Sequence, residues 1–132
     1  MTTEKNFSKG QIEDMITKKV IKFYLDTLGV GPKEAKTYIL DDMVIVRLKG
    51  QLLPIEKLLL RGRSGLSLVK DIRGALHAIT TSEMTNIIAE LTKQKIISTH
   101  SDISTKTGEI VEIFVLDNNY EKELATKNKS RL

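Results

Sequence analysis

"KEAKTYILDDMVIVRLKG", residues 33–50, places two apolar-rich runs on either side of Asp41-Asp42. Tyr38-Ile39-Leu40 and Met43-Val44-Ile45-Val46 are strand-like, and the paired Asp sits where a two-residue turn belongs. Asp tolerates the positive φ that such a turn demands. Residues directly opposite in a hairpin share a face. One face then carries Ile39 with Val44, Thr37 with Val46 and Ala35 with Leu48. The other carries Leu40 with Met43, Tyr38 with Ile45 and Lys36 with Arg47. Both faces are apolar near the turn, whereas an antiparallel sheet with one wet face alternates more cleanly. Either helices cover both faces, or helices cover one while a second subunit packs on part of the other. The second reading is preferred and predicts a homodimer. Lys36 opposite Arg47 is a like-charge pair that splays into solvent or is relieved by an anion or a partner's carboxylate.

Helical spacing surrounds this hairpin. Ser8 and Gln11 fit a capping box ahead of Ile12, Met15, Ile16, Val20, Phe23, Tyr24 and Leu28, which predicts a helix from Lys9 to Leu28. "GVGP" ends it, because Gly29 accepts a left-handed conformation and Pro32 cannot continue a helix. Pro54 opens a short helix with Ile55, Leu58 and Leu59, and Gly62, Ser64 and Gly65 break it. Leu66, Val69, Ile72, Leu76 and Ile79 mark the apolar stripe of a further helix. Thr80 with Glu83 forms a second capping box, opening another with Met84, Ile87, Ile88 and Leu91. Strands over Lys95–Ser101 and Glu109–Leu116 follow, and the polar residues after Asp117 predict a short helical or frayed tail. The order is α-β-β-α-α-α-β-β, with helix-then-hairpin occurring twice as a degenerate αββ repeat. Such an order predicts an α+β fold: two β-hairpins in an antiparallel or mixed sheet with three to four helices.

Composition bounds the function. The chain has 132 residues, 40% hydrophobic and 29% charged, which suits one domain with an ordinary core. Its structured part is expected over residues 8–118, with a polar arm at 1–7 and a polar tail at 119–132. Cys is absent, which removes disulfides, thiolate catalysis and Cys-ligated metal and suits a reducing cytoplasm. "MTTEKNFSKG" lacks the apolar stretch of a signal peptide, and no run approaches the roughly 20 apolar residues that span a bilayer. Neither membrane insertion nor nucleic-acid binding is expected. The net charge of +4 comes from interspersed signs with few aromatics.

"THSDISTKTGE", residues 99–109, concentrates His, Asp, Lys, Glu and hydroxyls. In an extended strand Ser101 points away from His100 and Asp102, whose Cα atoms lie roughly 6.6 Å apart, so the tripeptide cannot assemble a triad from itself. His77 and His100 without Cys are weak evidence for zinc. "STKTG" enters a strand instead of a helix and is no phosphate loop. No catalytic residue, metal ligand or cofactor is assigned. The stretch reads first as a hairpin connection, with Asp102 and Ser104 bonding local backbone, Gly108 permissive and Lys106 at the tip. As a binding loop it offers Asp102, Ser104, Thr105, Lys106, Thr107 and Glu109, beside Lys36 and Arg47 on the first hairpin. "RGRSG" offers Arg61 and Arg63 to an anion, or serves as a solvated joint.

"GVGPKEAKTYILDDMVIVRLKG" and "THSDISTKTGEIVEIFVLD" together resemble a small bacterial family named after MpsC, a component of a Na+-translocating, membrane-potential-generating system. The resemblance spans about Gly10 to Asp117. Its matching positions are Gly29, Gly31 and Pro32, Asp41 and Asp42, then Asp102 and Ser104 through Glu109. It departs at Val30, where members commonly carry a basic residue, so no anion role is carried to that position. The resemblance implies a bacterial soluble protein linked to membrane proteins of bicarbonate or sodium transport, and brings no established catalytic residues. The expectation is a non-enzymatic, cytoplasmic, dimeric accessory or regulatory protein that contacts a membrane transport protein. The alternative is a small-molecule or anion sensor using Lys36, Arg47, Arg61 or Lys106; an enzyme of unrecognised type comes third.

Overall fold

A computed structural model describes residues 6–50, 53–104 and 106–129. Helix α1 runs Lys9–Leu28 behind the expected capping box: the Gln11 N–H donates to Ser8 Oγ at 3.2 Å, and the Ser8 N–H to Gln11 Oε1 at 2.8 Å. It stops at Gly29, whose φ of 75° only glycine adopts without strain. Strands β1 (Glu34–Leu40) and β2 (Met43–Lys49) pair antiparallel in the anticipated register, Lys36 opposite Arg47 and Tyr38 opposite Ile45, with Asp41 at φ 54° in the turn. Pro54 begins α2 (Pro54–Leu59), followed by α3 (Gly65–Thr92), β3 (Ile96–Ile103), β4 (Ile110–Leu116) and α4 (Tyr120–Lys129).

The fold is α+β, and among the described residues four antiparallel strands lie in the order β1-β2-β4-β3. The αββ pattern recurs as α1-β1-β2 and α3-β3-β4. In that strand order the two hairpins are related by a two-fold between β2 and β4, their adjacent inner strands. Both long helices close on a left-handed residue, Gly29 and Lys93. One insertion breaks the parallel: β3 shifts register between Ile96 and Ser98.

All the core lies on one side of the sheet. Ile39, Val44, Val46, Leu48, Phe114 and Leu116 meet Ile12, Ile16, Val20 and Tyr24 of α1, Met84 and Ile88 of α3, and Tyr120 and Leu124 of α4. The core therefore extends past residue 118 into α4. Glu121 ties this helix to the first hairpin by accepting the Asp41 N–H at 3.0 Å, while its own N–H donates to the Asp41 carbonyl at 3.1 Å. Lys9 reaches the same carboxylate at 3.0 Å, and these bonds hold the Glu121 pKa below its usual value.

Two sequence expectations need correction. No helix starts at Thr80: α3 is continuous from Gly65 to Thr92, and the Thr80 hydroxyl donates to the His77 carbonyl at 3.1 Å within it. A side chain that bonds its own preceding turn imitates a capping signal without ending the helix. Between the hairpins there are accordingly two helices, and the fourth described helix is α4. The buried stripe of α3 is also rotated, through Val69, Arg73, Thr80, Met84 and Ile88, leaving Leu66 and Ile79 exposed. Hydrophobicity pointed to the neighbouring stripe because two of the buried positions are polar.

Candidate functional site

The face of the sheet away from the helices presents three cross-strand rows. They read Leu40, Met43, Val115, Ser98; then Tyr38, Ile45, Ile113, His100; then Lys36, Arg47, Val111, Asp102. None of these apolar side chains belongs to the core cluster, and Tyr38 and Leu40 are 39% and 47% exposed. The hairpin-turn end of this face is apolar and the opposite end is charged.

Most sequence-predicted residues gather at that charged end. Glu109 relieves the Lys36–Arg47 repulsion: Arg47 Nε and Nη2 donate to Glu109 Oε2 at 3.1 and 2.8 Å. The carboxylate comes from the chain itself, and it raises the Arg47 pKa through these bonds. Lys36 lies over the Tyr38 ring, 5.1 Å from its centroid. Asp102 accepts the Ile103 N–H at 2.9 Å. Ser104 and Thr107 brace the connection, accepting the Thr107 and Glu109 N–H groups at 3.2 Å each. Lys106 is exposed at the tip, and Thr105 lies outside the described residues. Arg61 and Arg63 are exposed between α2 and α3.

On the opposite, helix-covered side, a cleft opens at the Leu48–Ile110 end of the sheet. It holds about 620 Å³ of unfilled space, its open mouth included. Tyr24 and Leu28 of α1 and the Val30–Pro32 connection form one wall; Arg73, Leu76, His77 and Thr80 of α3 form the other. Gly50 and Gly108 close its rim so tightly that a Cβ on Gly50 would stand 1.9 Å from the Gly108 oxygen. At one edge Arg73 grips Glu56 of α2 through Nε and Nη2, at 2.8 and 3.2 Å, and Glu56 also accepts the Leu53 N–H at 2.8 Å. This pair is nearly sealed from solvent, with side chains 9% and 2% exposed.

Behind the cleft lies a second polar group that spacing alone did not show. His77 Nε2 meets the Ser101 hydroxyl, lies 3.3 Å from Thr81 Oγ1 and 3.5 Å from Glu112 Oε1. The Thr81 hydroxyl donates to Glu112 Oε1 at 2.6 Å. Among the described residues, Tyr24 Oη, His77 Nδ1 and Glu112 Oε2 are buried without a well-formed hydrogen bond. Burial raises the Glu112 pKa, opposed by the Thr81 hydrogen bond and by the His77 charge. Burial, with the Glu112 charge second, pushes the Tyr24 phenol up to about 12; Thr80 and Arg73 oppose that rise.

Ser101, His77 and Glu112 are the residue types of a hydrolytic triad, but their geometry differs. In a triad the nucleophile uses one ring nitrogen and the orienting carboxylate the other. Here Ser101 and Glu112 converge on the same Nε2, and Nδ1 meets neither. Ser101 points to the helix side while His100 and Asp102 lie on the open face, as strand alternation requires. Among the described residues no His, Cys, Asp or Glu cluster forms a metal-ligand set, and no helix is long and apolar enough to cross a membrane. The signals available in sequence were slight: Glu112 interrupts the inward series Ile110, Phe114, Leu116, and Arg73 interrupts the buried line of α3.

Comparison with known proteins fits these two motif-bearing hairpins. A 117-residue stretch is 40% identical to the uncharacterized protein YbcI of Bacillus subtilis (strain 168), covering 89% of this chain and 94% of that protein. No solved structure matches. The family model described as "Na+-translocating membrane potential-generating system (MpsC)" matches residues 8–118, so the chain belongs to the MpsC family.

Proposed function

We propose that this chain is a non-enzymatic accessory or regulatory protein of a bacterial membrane ion or bicarbonate transport system, acting in the cytoplasm through protein–protein contacts. The observation that carries the reading is the uncovered apolar block on the open sheet face, Tyr38, Leu40, Met43, Ile45, Ile113 and Val115. Contiguous apolar surface of this kind, rimmed by charge, marks interaction sites. The family description supplies the link to a membrane-potential-generating system. A second copy covers the apolar rows. The charged row and the loop, with Lys36, Arg47, Asp102, Lys106 and Glu109, meet the transport protein. The convergence of Ser101 and Glu112 on one ring nitrogen supports a non-enzymatic role.

Native mass spectrometry and membrane co-sedimentation test this. The expected result is a dimer that becomes a monomer in Ile113→Lys with its circular dichroism unchanged, and sedimentation only with membranes that contain the transport partner. A wild-type chain that stays monomeric, or that binds protein-free vesicles equally well, overturns the reading.

A further inference from the structure

The contact surface uses one side of the sheet and leaves the cleft on the other side without a role. Two of its groups are unusual. Tyr24 is 7% exposed and lines the cleft; beside its hydroxyl stands Thr80, whose own proton goes to the His77 carbonyl, so the phenol oxygen receives no donor. His77, on the facing helix, lines the same space with Nδ1 buried and unpartnered. Native proteins leave very few buried polar atoms unbonded, and those few call for a missing ordered partner. The phenol can donate or accept, and His77 Nδ1 does whichever its tautomer leaves it, so a head able to do both meets either case.

We propose that the cleft between α1 and α3 is a binding site for a small uncharged amphipathic molecule. Its one hydroxyl or amide head sits at Tyr24 Oη and His77 Nδ1, and its apolar body lies against Leu28, Val30, Leu48 and Leu76. Charge selects this class. Arg73 is already held by Glu56 in a two-bond pair, so an anion finds no free counter-ion there. Glu112, behind the cleft, repels an anion, and the Arg73–Glu56 pair in the wall, neutral as a unit, offers a cation no free carboxylate. An unpaired charge brought into so buried a site loses its hydration without return. The room open to a water-sized sphere is about 70 Å³, well under the roughly 300–1,000 Å³ of drug-sized ligand sites, which limits the body to about one ring.

Four probes that share a benzene ring and differ in the head test this on the intact chain: phenol, benzamide, benzoate and benzylammonium. The readout is a two-dimensional amide NMR titration. Phenol and benzamide are expected to shift the Tyr24, Val30, His77 and Gly108 signals, binding about tenfold more tightly than either charged probe, an amount equal to one ordinary hydrogen bond. Tyr24→Phe should weaken phenol by a similar factor. Leu76→Trp should fill the cleft and abolish the shifts while signal dispersion is retained; if it fails to fold, Val30→Trp at the mouth serves instead. No binding by the neutral probes, charged probes binding as tightly, or binding that survives in a folded cleft-filling variant each overturns the proposal. Loss of the dimer would leave these titrations unchanged, so the site and the contact surface fail separately.

Discussion

Replacing Glu112 by Gln should stabilise this protein at neutral pH. Glu112 stands in the middle of β4, 1% exposed, facing the helices. Thr81 donates to Oε1 at 2.6 Å, while Oε2 is buried with no partner. Burial holds its pKa above the ordinary glutamate value of 4.5, so the folded chain keeps this proton to a higher pH than the unfolded chain does. Between the unfolded and the raised folded pKa, the folded state binds more protons. Stability therefore falls as pH rises through that window, and the loss is complete above it. Gln retains an acceptor for Thr81 and removes the charge. The amide nitrogen inherits the unpartnered place of Oε2, so the gain is the excess cost of burying a charged over a neutral group, on the order of 1–3 kcal/mol at neutral pH. For 132 residues the unfolding entropy is about 0.28 kcal/mol/K, so the melting temperature should rise by about 4–11 °C. Thermal melts followed by circular dichroism from pH 4 to pH 8 measure it. The wild-type and Glu112→Gln curves should converge at the acid end and separate toward neutrality. A variant that melts lower than wild type at neutral pH would show that His77, at 3.5 Å, holds Glu112 as a true ion pair and would refute the reasoning.

Two further outcomes follow from the cleft and its edge. Arg73→Met strands the Glu56 carboxylate, 1% exposed, with the Leu53 N–H as its remaining donor, and should cost about 3–5 kcal/mol in urea unfolding. Adding Glu56→Leu should recover most of that loss; a single variant within about 0.5 kcal/mol of wild type would deny the pair its structural weight. Gly50→Ala drives a Cβ to 1.9 Å from the Gly108 carbonyl and must push the β3–β4 connection away. The expected cost is about 1–3 kcal/mol, with the largest amide NMR shifts at Gly108, and a neutral substitution would show the rim to be slack.

The hairpins were legible because their determinants are local. Asp41-Asp42 sets a two-residue turn, and period-two alternation then dictates every β1–β2 pair from Leu40–Met43 outward. The Ser8–Gln11 box and Gly29 likewise act within one turn of α1. The polar cluster was hidden because its contacts are distant in sequence. Glu56 meets Arg73 across 17 residues, His77 meets Ser101 across 24, and Thr81 meets Glu112 across 31. Apolar spacing also misplaced the buried face of α3, since Arg73 and Thr80 occupy it while Leu66, Leu68 and Ile79 face out.

Strand β4 shows why periodicity could not rank the two faces of the sheet. In "EIVEIFVL", residues 109–116, one alternation carries Glu109, Val111, Ile113 and Val115, and the other Ile110, Glu112, Phe114 and Leu116. Each set holds one glutamate and three apolar side chains, so hydrophobicity alone is balanced. The helices break the tie by burying the second set, which places a carboxylate inside and three apolar residues outside. For a lone folded chain this is costly on both faces: Glu112 loses water, and Val111, Ile113 and Val115 retain it. A sequence under selection for stability alone would correct either with a single substitution, Glu112 to an aliphatic residue or Ile113 to a polar one. Conflict between local composition and global packing collects where a protein binds something. On this strand it occurs at successive residues, facing the cleft region on one side and the proposed partner surface on the other.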